Sequence, residues 1–126
     1  MGRVSISDAT RTGIQNSSYT YAADAEANDS YAITLSPVPS GYAAGQSFIF
    51  KANTANTGGA TLNVNSLGAK TILKLNDQAL ATGDIEAGAI VVVVYDGTNF
   101  QLVSSSDGTT EVGATYAPAT GAQTVA

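Results

Sequence analysis

The sequence of 126 residues contains no cysteine, no histidine and no tryptophan. Without Cys and His there is no Ser-His or Cys-His nucleophile pair, and a zinc site of the usual kind cannot form. The absence of cysteine also excludes disulfides, so folding is indifferent to oxidation. The sequence therefore predicts that the protein is not an enzyme and that it holds no metal and no cofactor.

Charge is scarce as well, because only 12% of the residues are charged, about half the usual share. Five Lys and Arg stand against ten Asp and Glu, and the formal net charge is -5. A protein that binds nucleic acid through phosphates needs clustered Lys and Arg, so this class is excluded. Solubility must depend on Ser, Thr, Asn and Gly, and such a neutral, hydroxyl-rich surface suits extracellular or virion proteins.

Long hydrophobic runs are missing. The first seven residues, MGRVSIS, lack the apolar region of a secretory signal. The longest aliphatic run begins at Ile90 and is far too short to span a bilayer. We therefore expect neither a leader peptide nor membrane insertion.

Composition divides the chain into three regions. Residues 1–18 are polar with thinly spaced aliphatic side chains, which predicts an N-terminal arm that adds an edge strand or extends freely. Residues 19–104 contain nearly all of the large apolar side chains and are expected to form one β domain. Residues 105–126 are rich in Gly, Ala, Thr and Pro and predict a flexible tail or a strap that lies on a neighbouring subunit.

Within the β domain, short segments of β-branched, aromatic and alternating apolar residues are separated by Gly, Pro and Asn. They lie at 31–35, 46–52, 62–64, 70–75, 90–94 and 100–103. Asp96-Gly97 between two apolar segments indicates a hairpin, because Gly accepts a positive φ freely and Asp tolerates it. These features predict an all-β fold, an antiparallel β-sandwich or an open β-barrel of short strands, with extended arms and nearly no helix.

The run from Ile90 to Val94 is an unbroken series of β-branched residues. Successive side chains of a strand point to opposite faces, so both faces of this strand are expected to leave water. One face can fill the core of the domain, and the other predicts contact with a second copy of the chain. The predicted subunit interface comprises Ile90, Val92, Val94, Phe100 and Leu102.

Carboxylates are the remaining candidates for chemistry. Asp84 and Glu86, or Asp84 with Asp96, could form the carboxylate pair of a glycosidase if the first two share a strand face. The alternative is that all three lie in solvated edges or turns, and the sequence favours it. A cluster of Asp24, Glu26 and Asp29 has the oxygen ligands that calcium prefers, but not the spacing of a known calcium loop.

A polar loop at 53–59, rich in Asn, Thr and Gly, has the amides and hydroxyls that bind sugars. It contains no aromatic side chain, and Tyr42 is the nearest in sequence. With the exposed tyrosines, it motivates an alternative function, a carbohydrate-binding module.

Six motifs carry a resemblance to a known group of proteins. They are YAITLSP at 31–37, GQSFIFKA at 45–52, ANTGGATLNVN at 55–65, LGAK at 67–70, GDIEAG at 83–88 and VYDGTNFQL at 94–102. Residues 31–104 thereby resemble a β-rich module of bacteriophage tail fibres, tail spikes and related virion appendages. The motifs are turns and strands and contain no catalytic signature.

The resemblance implies a virion structural protein that is assembled in the cytoplasm of the bacterial host, is often trimeric and contacts other capsid or tail proteins. The chain has no long repetitive shaft and no separate receptor-binding tip, which favours a short fibre, a head decoration or a tail-fibre module. In the alternative function, the carbohydrate-binding module attaches the virion to host or mucus glycans.

Overall fold

The computed structural model describes residues 7–104 of the chain. The predicted tail at 105–126 and the first six residues of the predicted arm lie outside the described residues.

The first element is a helix, α1, which spans Asp8–Gln15. Ser7 caps it, since the side-chain oxygen of Ser7 accepts a hydrogen bond from the Thr10 N–H at 3.1 Å, and Asp8 places a negative charge in the first turn. Over these eight residues the arm is therefore helical and not extended.

The helix is held by the chain that immediately follows it. The Tyr19 hydroxyl donates to the Thr10 carbonyl at 3.3 Å. The ring also lies against Gly13, where an added Cβ would be 2.8 Å from the ring carbon Cζ. Residues 7–19 are here termed the N-terminal hook, in which glycine allows the close approach of the aromatic ring.

Eight short strands follow. They are β1 (Tyr21–Ala23), β2 (Ser30–Ile33), β3 (Ser47–Lys51), β4 (Ala60–Val64), β5 (Ala69–Lys74), β6 (Gln78–Ala79), β7 (Ile90–Tyr95) and β8 (Phe100–Leu102). They form one sheet with the order β1-β3-β7-β8-β5-β4-β2, and β6 pairs with β5 outside this path. The sheet curls into a nearly closed barrel, which confirms the predicted all-β fold.

The pairing is mixed and not wholly antiparallel. Three pairs are parallel, namely β1 with β3, β2 with β4, and β5 with β8. The other four are antiparallel, including the predicted β7–β8 hairpin. The turn of this hairpin closes with a 2.9 Å hydrogen bond from the Asp96 N–H to the Asn99 carbonyl.

The core fills the inside of the barrel. Its largest fully buried members come from seven different segments of the chain and include Tyr31, Leu35, Phe50, Leu62, Ile72, Ile85, Val93 and Phe100. Four aromatic rings form a cluster with centroid distances of 5.2 to 6.3 Å, mostly in tilted or edge-to-face arrangements that ring quadrupoles favour. They belong to Tyr42, Phe48, Tyr95 and Phe100.

The barrel closes where the two ends of the strand order meet. β1 and β2 are consecutive in the chain and lie at opposite ends of the sheet. Asp24, directly after β1, accepts the Ala32 N–H of β2 at 2.9 Å and the Asn53 N–H, just after β3, at 3.0 Å. A buried side chain thus takes the place of backbone pairing at this point of the seam between β1 and β2.

Candidate functional site

The two faces of β7 differ in their environment. Val91, Val93 and Tyr95 point inward and are buried, whereas Val92 and Val94 point outward and are half-buried. Ile90, also on the outer side, is 55% exposed. Within a single chain, therefore, only one face of the aliphatic run is fully shielded from water.

Neighbouring strands extend the outer side of β7 into a larger apolar surface. In the strand register, Val92 pairs with Ile49 of β3, and Ile49 pairs with Tyr21 of β1. On the other side, the Val103 N–H donates to the Val92 carbonyl at 2.9 Å, and the Val103 side chain is 57% exposed. We term the set Tyr21, Ile49, Ile90, Val92, Val94 and Val103 the outer apolar face.

Two of the five predicted interface residues do not belong to this face. Phe100 pairs with Tyr95 and is fully buried inside the barrel, and Leu102 pairs with the inward-pointing Val93 and packs against the core. The correction follows from strand register: in β8 the outward position is Gln101, which pairs with Val94. Ile90, Val92 and Val94 remain on the outer side.

The candidate carboxylate pair is not assembled. Residues 82–89 form turns and no strand, so Asp84 and Glu86 do not share a strand face. Asp84 is buried, and its carboxylate binds the Lys74 ammonium group at 2.6 Å and the Ala81 N–H at 2.8 Å, while Glu86 is exposed. These contacts give Asp84 a structural role that fastens the turn to β5.

Asp96 lies in the β7–β8 turn. Hydrogen bonds from the Asn99 N–H, the Gln101 amide and the Thr98 N–H lower the pKa of the Asp96 carboxyl below its ordinary value. Its carboxylate oxygens are therefore used to shape the hairpin.

The acidic side chains at 24–29 are likewise engaged by the protein itself. The Asp24 carboxylate accepts a third backbone bond, from the Glu26 N–H at 3.1 Å. Asp29 accepts the Thr57 N–H at 2.6 Å and the Thr57 hydroxyl at 2.7 Å, and these bonds lower the pKa of the Asp29 carboxyl. Among residues 7–104 no group of three or more acidic side chains is placed to hold a metal ion.

The polar loop at 53–59 is fastened to the barrel at several points. Asn56 is 1% exposed; its amide donates to the Gly58 and Ala81 carbonyls, both at 2.8 Å, and accepts the Ile85 N–H at 2.8 Å. Tyr42 lies elsewhere, in the aromatic cluster, where its hydroxyl donates to Gly68 and accepts from Val64. The structure thus does not bring Tyr42 to this loop as a sugar platform.

Two adjacent hollows lie where the seam between β1 and β2 opens. One, of about 540 Å³, is lined by the N-terminal hook together with Ser36 and Pro37. The other, of about 420 Å³, is lined by Tyr19, Thr20, the segment 37–39 and the start of β3. Tyr19 and Pro37 line both hollows, so we describe them together as the seam groove.

Sequence reasoning missed two sets of residues that matter here. Tyr21, Ile49 and Val103 join the outer apolar face through strand register, and the only local signal was their apolar character. The seam groove joins the hook to residues 36–48, and no spacing in the sequence relates these segments.

Comparisons with known proteins identify no family: no protein-family model matches the chain, and no curated protein shows significant similarity. The helix α1 has eight residues, and residues 7–104 contain no helix that is long and apolar enough to cross a membrane.

Proposed function

We propose that the protein is a structural module of a bacteriophage virion, used as a short fibre, a head decoration or a tail-fibre unit, and that three copies assemble through the outer apolar face. The observation that carries the proposal is this face, because it places aliphatic side chains on the outer side of β3 and β7, whose inner side chains lie in the core.

A continuous apolar surface on a sheet is uncommon in a monomeric protein and typical of an interface. The polar side chains in register with it, Ser47, Lys51 and Gln101, pair with Val94 and Ile90 at its borders. An apolar centre with polar borders is the usual composition of a subunit interface. Burial against a second copy would also explain why β7 is aliphatic on both faces.

The virion context is supported by the six motifs at 31–102, which resemble modules of phage appendages, and by a surface poor in charge. In the structure these motifs supply most of β2 and all of β3, β4 and β8, together with the start of β5, the end of β7 and several turns. A barrel with turns fixed by Asp and Asn side chains is a suitable building block for a particle exposed to the environment.

The assembly can be tested by sedimentation of the full chain at micromolar concentration. We expect three times the mass of one chain for the wild type and a single-chain mass for Val92→Lys, because a lysine placed at the centre of the apolar face would leave a buried charge in the complex. Thr71→Lys, at an exposed position of β5, is the matched control and should remain trimeric. A monomeric wild type would contradict the assembly.

The location can be tested on purified phage particles that carry the gene. We expect the chain in the protein content of the particles and, by antibody-gold electron microscopy, at one repeated position on the particle. Its absence from purified particles would contradict the virion role whatever its oligomeric state.

A further inference from the structure

The seam groove is a consequence of how the barrel closes. β1 and β2 are tied together at Asp24, near the turn that joins them. Away from this tie, the chain before β1 (Tyr19, Thr20) and the chain after β2 (Ser36, Pro37) form opposite walls of the groove. The walls of the groove are thus brought together by the closure of one barrel.

The walls combine two kinds of surface. Apolar side chains come from Tyr19, Pro37, Val38, Pro39 and Phe48. Hydroxyl and amide side chains come from Thr10, Thr12, Asn16, Ser18, Thr20, Ser36, Gln46 and Ser47. The volumes, about 420 and 540 Å³, are in the range of small-molecule sites.

Charge is nearly absent from these walls. Asp8 is the one charged residue among those that line the two hollows, and its carboxylate is paired with Arg11 at 2.6 Å. An anionic ligand would find no cation in the lining, and a cationic ligand would find only this paired carboxylate. The lining thus favours an uncharged ligand that carries many hydroxyl groups.

Hydrogen-bond donors and acceptors remain for such a ligand. The Gln46 side-chain oxygen accepts the Ala43 N–H at 2.7 Å, which leaves its NH2 group as a donor. The Asn16 side-chain oxygen accepts the Ser18 N–H at 3.1 Å, which leaves the NH2 group of Asn16 as a second donor. The Tyr19 ring, which lines both hollows, also matches a sugar ring, which has an apolar C–H face and a hydroxyl rim.

We infer that the seam groove is a binding site for an uncharged oligosaccharide, with the Tyr19 ring at its centre. The inference goes beyond assembly, because every lining residue belongs to one chain and none belongs to the outer apolar face. Failure of the trimer and failure of sugar binding are therefore separate results.

The test uses the full chain and four neutral probes: maltotetraose, cellotetraose, mannotetraose and tetra-N-acetylchitotetraose. Saturation-transfer NMR at about 1 mM sugar detects a Kd of ~1 mM or tighter. We expect at least one probe to bind, Tyr19→Ala to weaken it about tenfold or more, and Thr12→Val to weaken it about 3- to 10-fold through the lost hydroxyl.

Thr98→Val, in the exposed β7–β8 turn, is the matched control for Thr12→Val and should bind as the wild type does. Circular dichroism of each variant shows whether the fold is kept, and Thr12→Val keeps the test valid if Tyr19→Ala disturbs the hook. Absence of binding by all four probes would overturn the inference. The inference would also be overturned if both groove variants bound the sugar as tightly as the wild type does. It would likewise be overturned if NMR signals of groove residues changed with protein concentration and not with sugar, because the groove would then be a contact with a second copy.

Discussion

The two ends of the seam between β1 and β2 are built from the same pair of edge strands and behave differently. At the closed end, the buried Asp24 side chain receives three backbone N–H groups, and Asp29 holds the loop at Thr57. At the open end, Pro37 and the 65% exposed Val38 border a groove. The comparison teaches that side-chain acceptors can replace backbone pairing, and that where they are missing the barrel opens.

The largest effect is expected at the closed end, from Asp24→Ala. The substitution leaves three N–H groups without their acceptor in a buried place, and we expect a loss of about 3 to 5 kcal/mol in the free energy of unfolding. Urea unfolding followed by circular dichroism measures it. Asp24→Asn keeps one acceptor oxygen, so its stability should lie between those of Asp24→Ala and the wild type. If both variants were as stable as the wild type, Asp24 would not be the residue that closes the barrel.

A smaller effect at the same end concerns Tyr31, whose hydroxyl donates to the Thr54 carbonyl at 2.8 Å. Burial, followed by the charges of Asp29 and Asp24, raises the pKa of Tyr31 to about 12. Because the folded pKa lies above the unfolded value near 10, this group stabilises the fold fully below pH ~10, and the contribution is lost as the pH rises toward ~12.

Alkaline absorbance titration should therefore show a late tyrosine step that Tyr31→Phe removes, with a cost of about 1 kcal/mol at neutral pH from the lost hydrogen bond. Asp29→Asn, which takes away one of the two raising charges, should move that step to lower pH. If Tyr31→Phe instead removed absorbance change near pH 10 and left the late step in place, the hydroxyl of Tyr31 would be open to solvent.

The smallest effect is expected at the open end, from Val38→Ser. The side chain is 65% exposed and outside the core, so we expect a change of about 0.5 kcal/mol or less in the free energy of unfolding. Urea unfolding, as for the Asp24 variants, gives the change in the free energy of unfolding for both ends of the seam on one scale. A loss of more than about 1 kcal/mol would mean that Val38 is covered, which would reverse the contrast between the two ends.

Much of the strand content could be predicted from alternation and turn chemistry. β3, β5 and β7 lie within a residue or two of the expected segments, because each has an apolar face bounded by Gly, Pro or Asn. The helix α1 was missed, because its one large apolar residue, Ile14, gives no 3.6-residue pattern. The capping Ser7 and the acidic Asp8 were the available signals.

The residues of the outer apolar face were predicted in part. Alternation along β7 correctly placed Ile90, Val92 and Val94 on one side of the strand, but it could not say which side of β8 would face outward. That depends on the register of the β7–β8 hairpin, in which Phe100 pairs with Tyr95 and Leu102 with Val93, so both side chains turn inward. The seam groove was not predictable, since the hook and residues 36–48 meet only after the barrel has closed.

The sequence by itself determined the class of fold, the scarcity of charge, the hairpin at Asp96-Gly97 and the absence of cysteine and histidine chemistry, because these follow from residue type and local periodicity. Only the tertiary structure decided the mixed strand order, the closing role of Asp24 and the position of the groove. These depend on which distant segments pair, and a hydrogen bond such as that between Asp24 and Asn53 joins residues whose relation no local pattern records.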